Sequence, residues 1–112
     1  MHLHHIELAV ADIDRSRRFF QNALGATVVP DPAQDPNFAW INLGKCEILL
    51  RLGTPGPKSR FPGTANIVLC VEDLAKHHKR LLDRDIPTDK DREDVVFQDP
   101  DGHWFQLVGI DR

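Results

Sequence analysis

His5 and Asn66 are the first residues from which chemistry can be read. His5 opens the run His5-Ile6-Glu7-Leu8-Ala9-Val10-Ala11-Asp12. Asn66 opens Asn66-Ile67-Val68-Leu69-Cys70-Val71-Glu72-Asp73, with Ile6/Ile67, Leu8/Leu69, Val10/Val71 and Asp12/Asp73 at a constant offset of 61. A repeat of this length marks two copies of one supersecondary unit, so His5 and Asn66 hold equivalent places and form paired sites. An imidazole suits Zn, Ni, Fe or Co, whereas a neutral amide oxygen is a weak donor toward them. Glu47, Leu49 and Arg51 share one face of a strand by alternation. The Arg51 guanidinium either clamps a carboxylate or phosphate bidentately, pairs with an acidic neighbour, or lies exposed at the strand end. Trp40 and Trp104 either stack on a flat ligand or belong to the core.

Other reactive residues do not assemble into a motif. No Ser/His/Asp set, Gly-rich phosphate loop or Cys nucleophile pattern is present. His77 and His78 are adjacent on a helix and do not face each other. His2 and His4 share a strand face and His5 takes the other, which leaves only a possible two-histidine metal clip. His103 follows a turn and is expected to be solvated. Cys46 and Cys70 lie in expected strands, are not spaced as a zinc knuckle, and read as small buried hydrophobes.

The 112 residues suffice for one domain, or for two small modules sharing a core. Fourteen basic residues are scattered through a chain of net charge −3, which excludes the concentrated basic stripe that nucleic acid needs. No apolar run approaches the roughly 20 residues of a membrane span. The N-terminus shows no signal-peptide order, so cytoplasmic residence is expected.

Residues 3–10 alternate as a strand, with Ile6, Leu8 and Val10 on one face and His5, Glu7 and Ala9 on the other. Asp12 or Asp14 caps a helix over about 14–24 that Gly25 closes. Strands follow near 26–29, 38–43 and 46–52, with a Pro-rich loop at 30–36 and a turn at Gly44-Lys45. Residues 53–64 hold three Pro and three Gly and divide the chain into a first module, 1–52, and a second, 65–112. The second has a helix near 73–84 carrying Leu74, Leu81 and Leu82. Short strands are expected at Ile86-Pro87-Thr88 and Val95–Gln98, then the turn Asp99-Pro100-Asp101-Gly102 and a last strand at 103–109. Each module thus reads as β-α-β-β-β, an α+β arrangement. A four-stranded sheet with one helix leaves its other face uncovered.

This order resembles the vicinal oxygen chelate superfamily, which includes glyoxalase I, bleomycin-resistance proteins and extradiol dioxygenases. The carrying residues are His5-Ile6-x-Leu8-x-Val10-x-Asp12, Ser16-x-x-Phe19-Phe20-x-x-x-Leu24-Gly25, and Asp99-Pro100-Asp101-Gly102 followed by Phe105-Gln106-Leu107. The likeness covers essentially the whole chain. It implies one domain over 1–112 in which two βαβββ modules form a cup-shaped mixed sheet with helices outside, commonly completed in a homodimer. It also implies, in metal-dependent members, a divalent ion (Zn, Ni, Fe, Co or Mn) that binds two vicinal oxygens of a substrate and stabilises developing negative charge.

The family's ligand positions fall on the first and last strand of each module: His5, Leu49, Asn66 and Gln106. Leu49 has no donor atom. Glu47 lies on the same face, roughly 6.6 Å away along the strand (two residues at ~3.3 Å each). With His5, Glu47, Asn66 and Gln106 supplying one anion at most, the set falls short of the four donors, or three plus water, usual for zinc. The expectation is a protein that holds a small organic ligand in a dimeric cup without a complete metal site. His5, Trp40, Glu47, Arg51, Asn66, Trp104 and Gln106 are its candidate ligand-binding residues. The alternative is a metal-dependent lyase, isomerase, epimerase or dioxygenase, with His5 and Gln106 as metal ligands and Glu47 as third ligand or general base. A third possibility is an interaction module whose cup is filled by its own side chains.

Overall fold

The computed structural model describes residues 1–31, 33–89 and 93–110. The chain divides into two compact units, Met1–Gly56 and Pro57–Arg112. Among the described residues, no helix is long and apolar enough to cross a membrane.

The first unit contains β1 (Ile6–Val10), α1 (Ile13–Leu24), β2 (Thr27–Val29), β3 (Phe38–Asn42) and β4 (Glu47–Leu52). The sheet order is β1-β4-β3-β2, with β1 parallel to β4 and the other pairs antiparallel. Asp12 caps α1, its carboxylate accepting from the Arg15 N–H at 3.0 Å. Gly25, at φ 66°, ends the helix in the left-handed region that favours glycine. Alternation then sorts each strand between two faces. Leu8, Val10, Ala39, Ile41, Ile48 and Leu50 are buried on one face, as are Phe20 and Ala23 of α1, which packs against β3 and β4. The opposite face presents His5 just before β1, Glu7, Trp40, Glu47, Leu49 and Arg51, and no helix of this unit covers it.

The second unit contains β5 (Asn66–Val71), α2 (Leu74–Asp83), β6 (Val95–Gln98) and β7 (Trp104–Gly109). The order is β5-β7-β6, with β5 parallel and β6 antiparallel to β7. Its core is Val95, Phe97, Phe105 and Leu107 with Leu81 of α2, and the Phe97 and Phe105 rings stack 5.4 Å apart. Leu82, expected on the same apolar stripe as Leu81, is half exposed. Asp73 caps α2 as Asp12 caps α1, accepting from the Lys76 N–H at 3.0 Å.

Three expectations are corrected. The strand at Ile86-Pro87-Thr88 does not form; Pro87 has no N–H to give a ladder. The described second sheet therefore has three strands, and residue 89 reaches β6 through the Asp89 N–H to Val96 carbonyl bond at 3.3 Å. Cys70 is exposed and Cys46 half-buried rather than buried, because β5 is an edge strand and Cys46 precedes β4 at the Gly44 turn. His103 is not simply solvated. Its Nδ1 lies 2.7 Å from Oδ2 of Asp99, whose side chain is wholly buried.

Candidate functional site

The strand registers set the two modules in correspondence. Ile6 pairs with Ile48 and Glu7 with Leu49; Ile67 pairs with Phe105 and Val68 with Gln106. Because Ile6 and Ile67 are repeat partners, Leu49 and Gln106 are equivalent positions. The same register carried back one residue sets Glu47 beside His5, where the second unit has Trp104 beside Asn66.

His5, Trp40, Glu47 and Arg51 all belong to the open face of the first sheet. His5 meets Trp40 edge-on, with ring centroids 4.9 Å apart. Its Nε2 lies 3.3 Å from Oε2 of Glu7, and its Nδ1 lies 2.8 Å from Nδ1 of His4. The strand alternation expected to separate His4 from His5 does not apply, since β1 begins at Ile6. Glu7 also reaches Arg51, Oε1 to Nε at 3.5 Å, so one carboxylate links the imidazole and the guanidinium. Glu7 is the residue of this face that sequence reasoning did not list as a candidate; its shared strand parity with His5 was the signal. Glu47 is half-buried, and its side chain makes no hydrogen bond or ion pair among the described residues. Leu49, between Trp40 on β3 and Glu7 on β1, is only 8% exposed and forms the apolar floor of the face.

Asn66, Trp104 and Gln106 belong to the open face of the second sheet. Asn66 is exposed. Gln106 donates from Nε2 to Oδ2 of Asp94 at 2.8 Å, a partner outside the strand alternation and therefore invisible to it. The Trp104 indole donates to the Ser59 carbonyl at 3.1 Å and meets the Phe61 ring edge-on at 5.4 Å.

The expected metal ligands are His5, Gln106 and Glu47, with Asn66 as a neutral amide. His5 and Glu47 are the strong donors of this set, and His5 also engages Glu7 and His4. Leu49 offers no donor, and Gln106 is tied to Asp94. Among the described residues no group of three or more His, Cys, Asp or Glu is placed to hold a metal ion.

The Asp99–His103 pair serves the turn between β6 and β7. Asp99 Oδ1 accepts from the Asp101 and His103 N–H groups at 3.0 and 2.7 Å. The hydrogen bond to Asp99 raises the His103 pKa above its ordinary value, against the opposing effect of burial, with the charges of Asp99 and Asp101 adding to the rise.

Comparison with known proteins places this geometry in a family. The chain is 31% identical to the mitochondrial methylmalonyl-CoA epimerase of Bos taurus, in an alignment covering 98% of this chain and 73% of the relative. It superposes with a TM-score of 0.77 on fosfomycin resistance protein FosX from Mesorhizobium loti, at 17% identity over 95% of this chain and 89% of that one. A Listeria monocytogenes FosX mutant complexed with Mn(II) and 1S,2S-dihydroxypropylphosphonic acid gives 0.77 at 18% identity, over 95% and 87%. The family model of the Glyoxalase/Bleomycin resistance protein/Dioxygenase superfamily matches residues 2–107, and the chain belongs to that superfamily.

Proposed function

We propose that this protein binds a small organic ligand on the open face of its first sheet, without a complete resident metal site, and works as a homodimer. The observation that carries this reading is Leu49: the last-strand position, where a donor is needed, is apolar and buried. The same face suits an organic ligand. Trp40 offers a ring edge or face to a flat group, and Glu47, His5 and Arg51 surround it with polar groups of both charges. Benzoate and benzylamine, probes of opposite charge, test the face through the Trp40 indole N–H signal in NMR titrations. A saturable shift with either probe supports the reading, and the probe that binds tells whether Arg51 or Glu47 dominates. No saturable shift with either rejects it.

A second reading is carried by the similarity to methylmalonyl-CoA epimerase together with the Glu47 carboxylate, which has no partner among the described residues. Glu47 would then remove the proton next to a thioester carbonyl. Its test is deuterium incorporation into methylmalonyl-CoA in heavy water, in wild type and Glu47→Gln. Exchange that the variant loses would establish this reading over the first.

A further inference from the structure

The first unit contains a groove that none of the chemistry above uses. It runs between the first turns of α1, the loop from β2 to β3 and the end of β4, with a volume of about 690 Å³. That volume falls within the roughly 300–1,000 Å³ typical of small-molecule sites. Leu52 shows which side of the sheet it takes. Leu52 shares the parity of Ile48 and Leu50, on the face that α1 covers, and not that of Leu49 and Arg51 on the open face.

The floor of the groove is apolar and uncovered. Ile48 and Leu50 are inaccessible, whereas Leu52, two residues further along the same face, is 45% exposed. Ile13, Pro30 and Pro36 line the groove with it. The rim is acidic. Asp12, Asp14, Asp31 and Asp35 stand there against one cation, Arg17, which bonds Asp14 at 2.6 Å. Three of these carboxylates are held in place by backbone N–H groups: Asp12 by Arg15 at 3.0 Å, Asp31 by Asp35 and Asp35 by Asn37, both at 2.9 Å. Each such bond uses one oxygen, and an ionised carboxylate accepts on two. The N-terminus of α1 opposes a cation with a partial charge of only about +0.5, which an excess of three carboxylates outweighs.

An apolar floor under an acidic rim selects the occupant. A bare cation would leave Leu52 and the prolines uncovered, and a neutral apolar molecule would leave the carboxylates unused. An aliphatic chain that carries several ammonium groups meets both demands. Its methylenes lie along apolar surface while the charged groups reach outward, as a lysine side chain does, and the ammonium groups make charge-assisted hydrogen bonds to the carboxylates. We propose that this groove binds an aliphatic polyamine, at a site separate from the open face of the first sheet.

Full-length protein labelled with ¹⁵N is titrated with spermine. The controls are 1,6-hexanediol as a neutral aliphatic chain, Mg(II) as a bare cation, and tetralysine as a basic peptide of the same net charge. The expected result is a saturable shift of the backbone N–H signals of Ile13, Asp14, Gln34 and Asp35 with spermine, little shift of the Trp40 indole, and weaker binding of all three controls. The double variant Asp31→Asn/Asp35→Asn keeps an acceptor oxygen at each position and removes two charges. Checked for an intact spectrum, it is expected to weaken spermine binding about twofold to thirtyfold, the loss of two exposed ion pairs. Asp14→Asn, which releases the Arg17 guanidinium from its partner, serves the same purpose if the double variant does not fold. No saturable shift of these backbone signals, binding of hexanediol or Mg(II) as tight as that of spermine, or unchanged affinity in the folded variant would each overturn the inference. Tetralysine binding as tightly as spermine or more tightly would assign the groove to a basic segment of another protein and overturn it as well. The Trp40 titrations with benzoate and benzylamine report on the open face, so the two results are distinguishable.

Discussion

Leu49 and Gln106 occupy the same rung of their respective sheets, one paired with Glu7 and the other with Val68. The two modules have therefore exchanged roles at this level. In the first, the polar group sits on the first strand, as Glu7, and the last strand is apolar. In the second, the polar group sits on the last strand, as Gln106, and the first strand is apolar. A repeat that began with identical registers has ended with different donor sets.

Glu7 is placed to hold His5 and Arg51 on the open face. Both of its contacts are partly solvated, and exposed ion pairs contribute at most about 1 kcal/mol. Glu7→Ala is expected to lower unfolding free energy by no more than about that amount in urea titrations. It should nonetheless shift the NMR signals of His5 and of the Trp40 indole, which His5 touches. A large stability loss with unmoved His5 and Trp40 signals would mean that Glu7 serves folding and not the face.

The two helix caps should be worth similar amounts. Asp12 and Asp73 each accept one backbone N–H at 3.0 Å. Asp12→Ala and Asp73→Ala are each expected to cost about 0.5–2 kcal/mol, read from chemical denaturation. Phe20→Ala, which empties a fully buried site under the first sheet, should cost about 3–5 kcal/mol and exceed both.

The Asp99–His103 pair predicts a pH dependence. The folded pKa of His103 lies above its ordinary value of 6.5. Its contribution to stability is therefore fully present below that value and is lost as pH rises through the raised folded pKa. Wild type is expected to lose stability relative to His103→Gln as pH rises above 6.5 through the raised folded pKa, measured as the difference in denaturation midpoints. A parallel response in the two proteins would show that the pair is not coupled to folding.

Much of the fold was legible because two periodicities carry it. The alternation of Ile6, Leu8 and Val10, repeated in Ile67, Leu69 and Val71, marked β1 and β5. Asp12 and Gly25 bounded α1 by their capping chemistry. The strand expected at Ile86–Thr88 failed because a β-like composition gives no ladder where Pro87 lacks a donor. The candidate residues were partly legible by face: parity put His5 with Glu7, Glu47 with Arg51, and Trp104 with Gln106. Their partners were not. Gln106 bonds Asp94 across twelve residues, and Trp104 bonds Ser59 across forty-five. Pairings across such distances follow from the path of a loop, which no local pattern encodes. The stretch 53–64 read as a link, yet its Ser59 carbonyl accepts from the Trp104 indole and from Gln98 Nε2.

The central claim, that the donor set at Leu49, Asn66 and Gln106 leaves no complete metal site, is tested most directly by metal analysis. Wild type and His5→Ala are purified tag-free without chelator, incubated with Mn(II), Ni(II) or Zn(II), desalted, and measured by mass spectrometry. The account predicts no stoichiometric metal in either protein and no difference between them. One metal ion per chain in wild type, lost in His5→Ala, would contradict it and establish His5 as a ligand in a working metal centre.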